Sequence, residues 1–448
     1  MAIDPNLVHD LLQQATQRGA TAGDVLLVDN TSFEVEVRFG EVDKVQNAHR
    51  KRLGLRLFFG QRSATTSTSD FTEASLRQLL DDTCALAQAM AADPVAGLPE
   101  PDDTIRDIPD LQLWDACLAQ IPVEDRTEMA RAAEQAALAY DPRITNSEGG
   151  EYSSSESSVL YANSHGFLGQ YRTSSVQLAA VPIASDESGM QRDYWYSTAR
   201  KFDRLDSPAE IGEEAARRAL RRLGARKVPT QKVPVVFAPT IAGGLLGNLC
   251  SAISGSALYR GLSFLADHLG ERIAPDHVTV YDDGTLPMGL GSKPFDGEGL
   301  PTRRTTVVEN GVLRSYLLDT YSARKLGMQS TGNAARGAGD PPGVSPTNFY
   351  LKPGSHPPDE IVASIPNGLY VTGLIGFGVN LVTGDYSRGA SGLWIENGEL
   401  TYPVEEITIA GNLRHMLADI EMVGNDLDMS RKIAAPTLKI GSMTIAGA

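Results

Sequence analysis

The stretch Gly243 to Gly255, GGLLGNLCSAISG, constrains this chain more than any other segment. Ala242, Leu245, Leu246, Leu249, Cys250 and Ile253 recur at helical spacing and define one apolar face. Gly244, Asn248, Ser251 and Gly255 make the opposite face small and weakly polar. The pattern predicts a helix sealed against a core on one side and open to a close neighbour on the other. Pro239 suits the first position of that helix, where its missing N–H costs nothing.

At 448 residues the chain is long enough for two or three domains, each with its own core. A formal net charge of −16 argues against nucleic acid as a partner, because phosphate contacts need concentrated positive surface. The local exception is Arg217, Arg218, Arg221 and Arg222, which read as a solvated helix face because Glu213 and Glu214 stand four residues before the first two. Cys84, Cys117 and Cys250 have neither metal nor redox spacing and read as reduced thiols. The N-terminus lacks a basic leader with an apolar core, and no apolar run approaches the ~20 residues of a membrane span. The expectation is a cytoplasmic protein with no membrane partner.

Along the chain, residues 5 to 18 read as a helix with Leu7, Val8, Leu11 and Leu12 as its stripe. Alternating strands follow, punctuated by Gly40, Gly54 and Gly60, and then a helix at about 72 to 91. Residues 92 to 122, rich in Pro and Asp, read as a connector. The outline then repeats, with a helix near 123 to 140, strands to about 200 and a helix near 208 to 223. From Lys232 the character changes: VPVVFAP is a buried strand, and strand and turn signals dominate beyond 275. Two Glu-Asn-Gly turns, Glu309 to Gly311 and Glu396 to Gly398, mark hairpins. The fold class expected is α+β. Residues 1–228 would form two helix–meander–helix units (subdomains about 1–92 and 115–228), and 229–448 a domain of curved antiparallel sheet carrying the glycine-rich helix.

Familiar catalytic arrangements are missing. The seven histidines include no pair three to five apart, so neighbours cannot assemble a helical metal motif. No Gly-x-Ser-x-Gly elbow occurs, and Gly289 to Lys293 completes no phosphate-binding fingerprint. Cys250 lies on the apolar face, where a cysteine acts as a small core residue. GFGVNLVTGDYSRGASG is the one polar and aromatic cluster that a plain turn does not require. Asn380, Asp385, Tyr386, Ser387 and Arg388 there could meet an extended peptide, or Asp385 and Arg388 could satisfy each other in a loop that closes a sheet. Phe295 to Gly299, followed by Arg303 and Arg304, reads as structural, packing the barrel or a subunit interface.

The helix, together with ISGSALYRG, GLGSKPFDGEGLPTRR, VVENGVLRSYLLDTYSARKLG, GLYVTGLIGFGVNLVTGDYSRGASG and APTLKIGSMTIAG, resembles the TldD/PmbA family, once called modulators of DNA gyrase. In the family's TldD branch this helix carries His-Glu-x-x-x-His zinc ligands, with a cysteine ligand from near the C-terminus. Laid on that motif, the histidine positions fall on Gly247 and Ala252 and the glutamate on Asn248, and no cysteine follows Cys250. Gly and Ala cannot bind zinc, and Asn cannot act as a general base. The chain therefore resembles the PmbA branch, also called TldE. That resemblance implies a subunit with no catalytic residue or metal of its own, paired with a zinc-bearing TldD-like paralogue in a peptidase for small or unfolded peptides. Asn248, Asn380, Asp385, Tyr386, Ser387 and Arg388 would then be substrate-groove residues. The alternative is a stand-alone homodimer that binds peptides or modulates gyrase.

Overall fold

The computed structural model describes residues 5–447, so Met1 to Asp4 and Ala448, the ends of the two expected domains, lie outside the described residues. The first half runs α1 (Pro5–Gln17), β1 (Ala22–Arg38), β2 (Glu41–Phe59), β3 (Arg62–Thr68) and α2 (Glu73–Ala89). After the connector come α3 (Val123–Tyr140), β4 (Ile144–Asn163), β5 (Leu168–Asp186), β6 (Gly189–Arg192), β7 (Trp195–Ala199) and α4 (Pro208–Leu220). This is the helix, meander, helix order expected twice over, but the two meanders are fused. β1 pairs antiparallel with β4, giving one seven-stranded sheet in the order β3-β2-β1-β4-β5-β6, with β7 also beside β5.

Alternation along β1 assigns its two faces. Val25 and Leu27 point into a core with α1 and α2, joined by Leu53, Leu55 and Leu57 of β2. Phe33, Val35 and Val37, further along the same face, pack with Tyr152 and Leu178 against α3 and α4. The opposite face carries Leu26, which packs with Tyr161, Phe167 and Phe295 and so meets the second half of the chain.

That half begins with β8 (Gln231–Phe237), α5 (Pro239–Ala252) and α6 (Gly255–Leu258). β9 (Val280–Asp283), β10 (Arg304–Glu309) and β11 (Val312–Leu313) build a small sheet, and α7 (Thr320–Leu326) is followed by the β12 (Ala334–Ala335) and β13 (Gly343–Val344) ribbon. β14 (Asn348–Leu351) joins β9, and α8 (Pro358–Ala363) leads to β15 (Asn367–Ile375), β16 (Asp385–Glu396) and β17 (Glu399–Asn412). The chain ends with α9 (Leu413–Ala418), β18 (Ile420–Val423), β19 (Ile433–Ala434) and β20 (Leu438–Ala446). Strands pair in the order β17-β16-β15-β8-β20, and β20 returns to β17, closing a five-stranded barrel.

Antiparallel pairing dominates this sheet, as expected, with one parallel pair in the barrel, β8 and β15. A parallel pair needs a long crossover, and everything from α5 to α8 lies between these two strands. Both Asn-Gly turns form as read, with Asn310 at φ 46° and Gly311 at 80°, and Asn397 at 51° and Gly398 at 82°. No helix among the described residues is long and apolar enough to cross a membrane.

The two halves are joined through a buried ionic cluster. Register sets Asp24 of β1 opposite Arg56 of β2. Asp24 Oδ2 accepts from Arg56 Nε at 3.0 Å and from the Tyr161 hydroxyl at 3.2 Å, while Oδ1 accepts from Arg336 Nη1 of the second half at 2.8 Å. Burial alone would raise the Asp24 pKa, but Arg336 and Arg56 together hold it below the ordinary carboxylate value. Glu298 Oε1 stands 3.6 Å from Arg56 Nη2, and its Oε2 accepts from the Thr320 amide at 2.9 Å.

Gly54, expected to end a strand, lies inside β2 on the face that meets the second half. A Cβ there would sit 1.4 Å from the carbonyl oxygen of Ala338, so glycine is required by the close approach of another backbone rather than by a turn. Gly54→Ala is expected to destabilise the protein by about 3 kcal/mol, the upper end of ordinary overpacking costs. Gly166→Ala is the comparison, since its site has open space and only a positive φ to strain it. Urea denaturation of both variants checks this; equal midpoints would mean that the two halves do not meet at Gly54.

Candidate functional site

α5 packs from one side. Ala242, Leu245, Leu246, Leu249 and Cys250 are buried with Phe237 and Val371 of the barrel. Gly244 and Ser251 are exposed, and Gly247 and Asn248 are half-buried. A Cβ on Gly244 would meet nothing within 4 Å, and one on Gly247 only Ile433 Cδ1 at 3.9 Å. Gly255, counted on this face from sequence, does not belong to it. α5 ends at Ala252, and Gly255 opens α6, where a Cβ would press on Ser322 Oγ at 2.3 Å. Ala252 is fully buried, so of the compared motif positions only Gly247 and Asn248 reach the open side. One residue earlier, Ser251 does reach it, but its hydroxyl donates to Gly247 O at 2.9 Å.

Beside the C-terminal end of α5 lies a groove of about 810 Å³ lined by Cys250, Ser251, Ser254, Arg260, Val379 and Asn380, among others. It brings the helix and the 376–392 segment together, as neither pattern alone required. Of the six residues expected at a groove, Asn380 alone is among its lining residues. Asn380 Oδ1 accepts from the Val382 amide at 2.9 Å and so shapes the turn that forms the groove wall. Asp385 accepts from the Thr383 hydroxyl at 2.6 Å and from Asn412 Nδ2 at 3.3 Å, and these bonds, the first above all, lower its pKa.

Tyr386 points inward, is 3% exposed, and burial pushes its hydroxyl up to about 12; it is a core residue. Ser387 is exposed and Arg388 half-buried, with a buried Nε that has no hydrogen-bond partner. Asp385 and Arg388 do not pair. Three apart on a strand, they face opposite sides, so the mutual satisfaction considered from sequence is geometrically closed. Asn248 and Ser387 make no side-chain hydrogen bond to another described residue, which leaves both able to meet a ligand or another chain.

Sequence reasoning missed Arg260, which borders both this groove and a second cavity of about 560 Å³ floored by Arg56 and Glu298. It also misread the arginine-rich helix. Glu214 pairs with Arg217, three residues on, but Arg218 turns inward and is 8% exposed. The signal was available: on α4, Arg218 falls seven residues after the buried Ile211 and three after the buried Ala215, on the inward side of the helix. Phe295, Asp296 and Glu298 of the 295–299 segment are all buried, where the two halves of the chain meet.

Zinc does not fit the α5 positions, since Gly247 has no side chain and Asn248 offers only an amide. Among the described residues no group of three or more His, Cys, Asp or Glu could hold a metal ion. Cys250 borders the groove, but burial first, and then Asp282, push its thiol up to about 12, leaving it protonated and a poor nucleophile at neutral pH.

Three consecutive family profiles match this chain: PmbA/TldA metallopeptidase domain 1 at residues 23–87, the central domain at 118–223 and the C-terminal domain at 230–447. The chain is 39% identical to the metalloprotease PmbA homolog of Haemophilus influenzae, covering 97% of this chain and 94% of that protein. It is also 39% identical to metalloprotease PmbA of Escherichia coli O157:H7, covering 95% and 92%. A crystal structure of a candidate modulator of DNA gyrase from Bacteroides thetaiotaomicron superposes with a TM-score of 0.93 at 31% identity, covering 100% of both chains. The chain belongs to the PmbA/TldD metallopeptidase family.

Purified alone, the chain is expected to carry no stoichiometric zinc, because α5 supplies neither ligands nor base. Elemental analysis after mild chelator washing checks this. One firmly held zinc per chain would reveal a ligand set assembled elsewhere.

Proposed function

We propose that this chain is the PmbA/TldE-type subunit of a two-chain zinc peptidase, itself without catalytic residues, and that a TldD-like paralogue supplies the zinc and the general base. The pair would act in the cytoplasm on small or unfolded peptides, without nucleic acid or membrane, and the chain would divide into its two domains near residue 228. The observation that carries this reading is α5: it keeps its one-sided packing and adjoining groove but has Gly247 and Asn248 on its open face. A helix face of Gly, Asn and Ser that its own chain covers only in part, with Gly244 and Ser251 exposed, is suited to close approach by another.

The neighbouring loop supports the same reading. Phe377 is 97% exposed, with Ile375 and Val382 also open. An apolar tip of this kind beside a groove suits the centre of a protein interface better than open water. In the pair, this chain's part is shape: Ser251, Ser254 and Arg260 line a wall along which a peptide backbone could be aligned, while bond cleavage belongs to the partner.

Mixing is the test. The zinc-bearing paralogue should cleave an unfolded peptide at least about tenfold faster with this chain than without it, the scale of a modest positioning effect. Gly244→Leu, whose Cβ meets nothing of this chain within 4 Å, should not lower its thermal midpoint and should remove most of the stimulation. A paralogue fully active alone, or two chains that fail to associate at micromolar concentration, would leave the stand-alone homodimer, peptide-binding or gyrase-modulating, as the better account.

A further inference from the structure

A second built cavity lies away from the groove, at the other end of α5. Its volume is about 280 Å³, and Arg218 and Arg221 from the end of α4, Thr240 from the first turn of α5, Arg431, Trp195 and Tyr370 are among the residues that enclose it. Three of the residues that enclose it each carry a buried polar atom without a hydrogen-bond partner: Arg218 Nε, Arg221 Nε and Thr240 Oγ1. Buried polar groups are satisfied in the great majority of cases, so a small cavity enclosed by three residues with such atoms and by Arg431 is a polar site rather than a packing gap.

The local charges sharpen the point. Arg218, 8% exposed, has one carboxylate within reach, Asp193 Oδ1 at 3.5 Å from Nε, without a hydrogen bond. Its guanidinium also lies over the Trp195 ring, 5.1 Å from the centroid. Among the described residues Arg221 has no ion pair. Burial, and then the like charge of Arg218, lower its pKa from the ordinary guanidinium value. Arg431 is fixed from its far end, donating Nη1 to Thr240 O at 2.7 Å and lying over the Tyr196 ring. α5 begins with Ala238 as an N-cap that provides no side-chain hydrogen bond and Pro239 as its first residue, so the positive end of a 14-residue helix borders the same space.

We infer that this cavity is a binding site for a small oxyanion, taken up between Arg218, Arg221 and Thr240 at the N-terminus of α5. Arginine nitrogens are donors only, and the Thr240 hydroxyl on the same cavity is free to donate as well, so the occupant these groups suit is an acceptor. Planar guanidinium groups match the oxygen pairs of phosphate and carboxylate.

The acidic residues that also border the cavity limit its size and charge. Glu214 is paired with Arg217, Asp426 accepts from the Thr437 amide at 2.9 Å and hydroxyl at 2.7 Å, and Asp428 accepts from the Ser430 amide at 2.8 Å and hydroxyl at 2.6 Å. None of them caps the arginines, yet their charge disfavours a polyanion. A single phosphate or the carboxylate end of a peptide fits both the volume and the charge.

The test uses this full chain alone, so its outcome is independent of pairing with a paralogue. Inorganic phosphate, acetyl-dialanine with a free C-terminus and the same peptide amidated are titrated calorimetrically at constant ionic strength. Saturable binding of phosphate, or of the free but not the amidated peptide, supports the site and identifies which oxyanion it takes. Arg221→Met should weaken that binding by about tenfold or more, the scale of a lost charge-assisted hydrogen bond. Without ligand, Arg221→Met should be no less stable than the parent, because burial and the like charge of Arg218 act against this guanidinium and Asp193 and Glu214 offset them only in part. Thr240→Val, which deletes only a hydroxyl, is the second variant should the first not fold, and should weaken binding by about fivefold. No saturable binding of either oxyanion, or affinity unchanged in the variants, would overturn the proposal and leave the orphans to ordinary water. A clear loss of unliganded stability in Arg221→Met would likewise mark the arginine as structural.

Discussion

A single buried carboxylate organises this molecule. Asp24 is fully inaccessible, is bound by Arg56 from its own sheet and by Arg336 from the other half of the chain, and receives the Tyr161 hydroxyl as well. Taking such charges out of water is costly, and the cluster is tolerable only because each oxygen is engaged. Its effect is geometric: a one-residue slip of β1 against β2 would turn Asp24 to the helix-covered face and leave Arg336 buried without a counterion. Around it, Phe295 meets Phe167 and Tyr171 edge-on at 5.4 and 5.1 Å, so apolar packing and charge fix the same approach. The second cavity, floored by Arg56 and Glu298, exists because of that approach.

With the halves held in this way, the barrel presents α5 on a fixed frame. One side of the helix is sealed by Phe237, Val371 and their neighbours, and the other has small residues that this chain covers only in part, with nothing of it near Gly244 and only Ile433 near Gly247. The chain thus keeps this helix packed on its barrel, with Gly247 and Asn248 on the other side. The groove beside α5 and the arginine-lined cavity at its start lie at opposite ends of one 14-residue helix.

Much of this was legible in sequence where local physics decides structure. Pro239 starts α5, α3 spans Val123–Tyr140, and the Asn-Gly turns at 310–311 and 397–398 adopt the positive φ values that such pairs favour. What escaped depended on partners distant in the chain. The β1–β4 and β17–β20 pairings close sheets through contacts that no local pattern encodes. Gly54 looked like punctuation because the carbonyl that needs it belongs to Ala338. The turn segment misled in a different way: its polar residues invited a functional reading, yet Asp385 and Asn380 are engaged in shaping the turn, and Tyr386 follows strand alternation into the core. Arg218 shows the reverse error, a charge counted as solvated that the structure buries.

The central claim is that the bare face of α5 and the apolar tip beside it are completed by a second, zinc-bearing chain. Hydrogen–deuterium exchange of this chain, alone and mixed with its paralogue, tests that most directly. The account predicts that peptides spanning 244–251 and 375–382 gain protection on mixing, while the β1–β2 pairing around Asp24 is unchanged. Protection confined to other surfaces, with both of these segments exchanging as they do in the free chain, would contradict it.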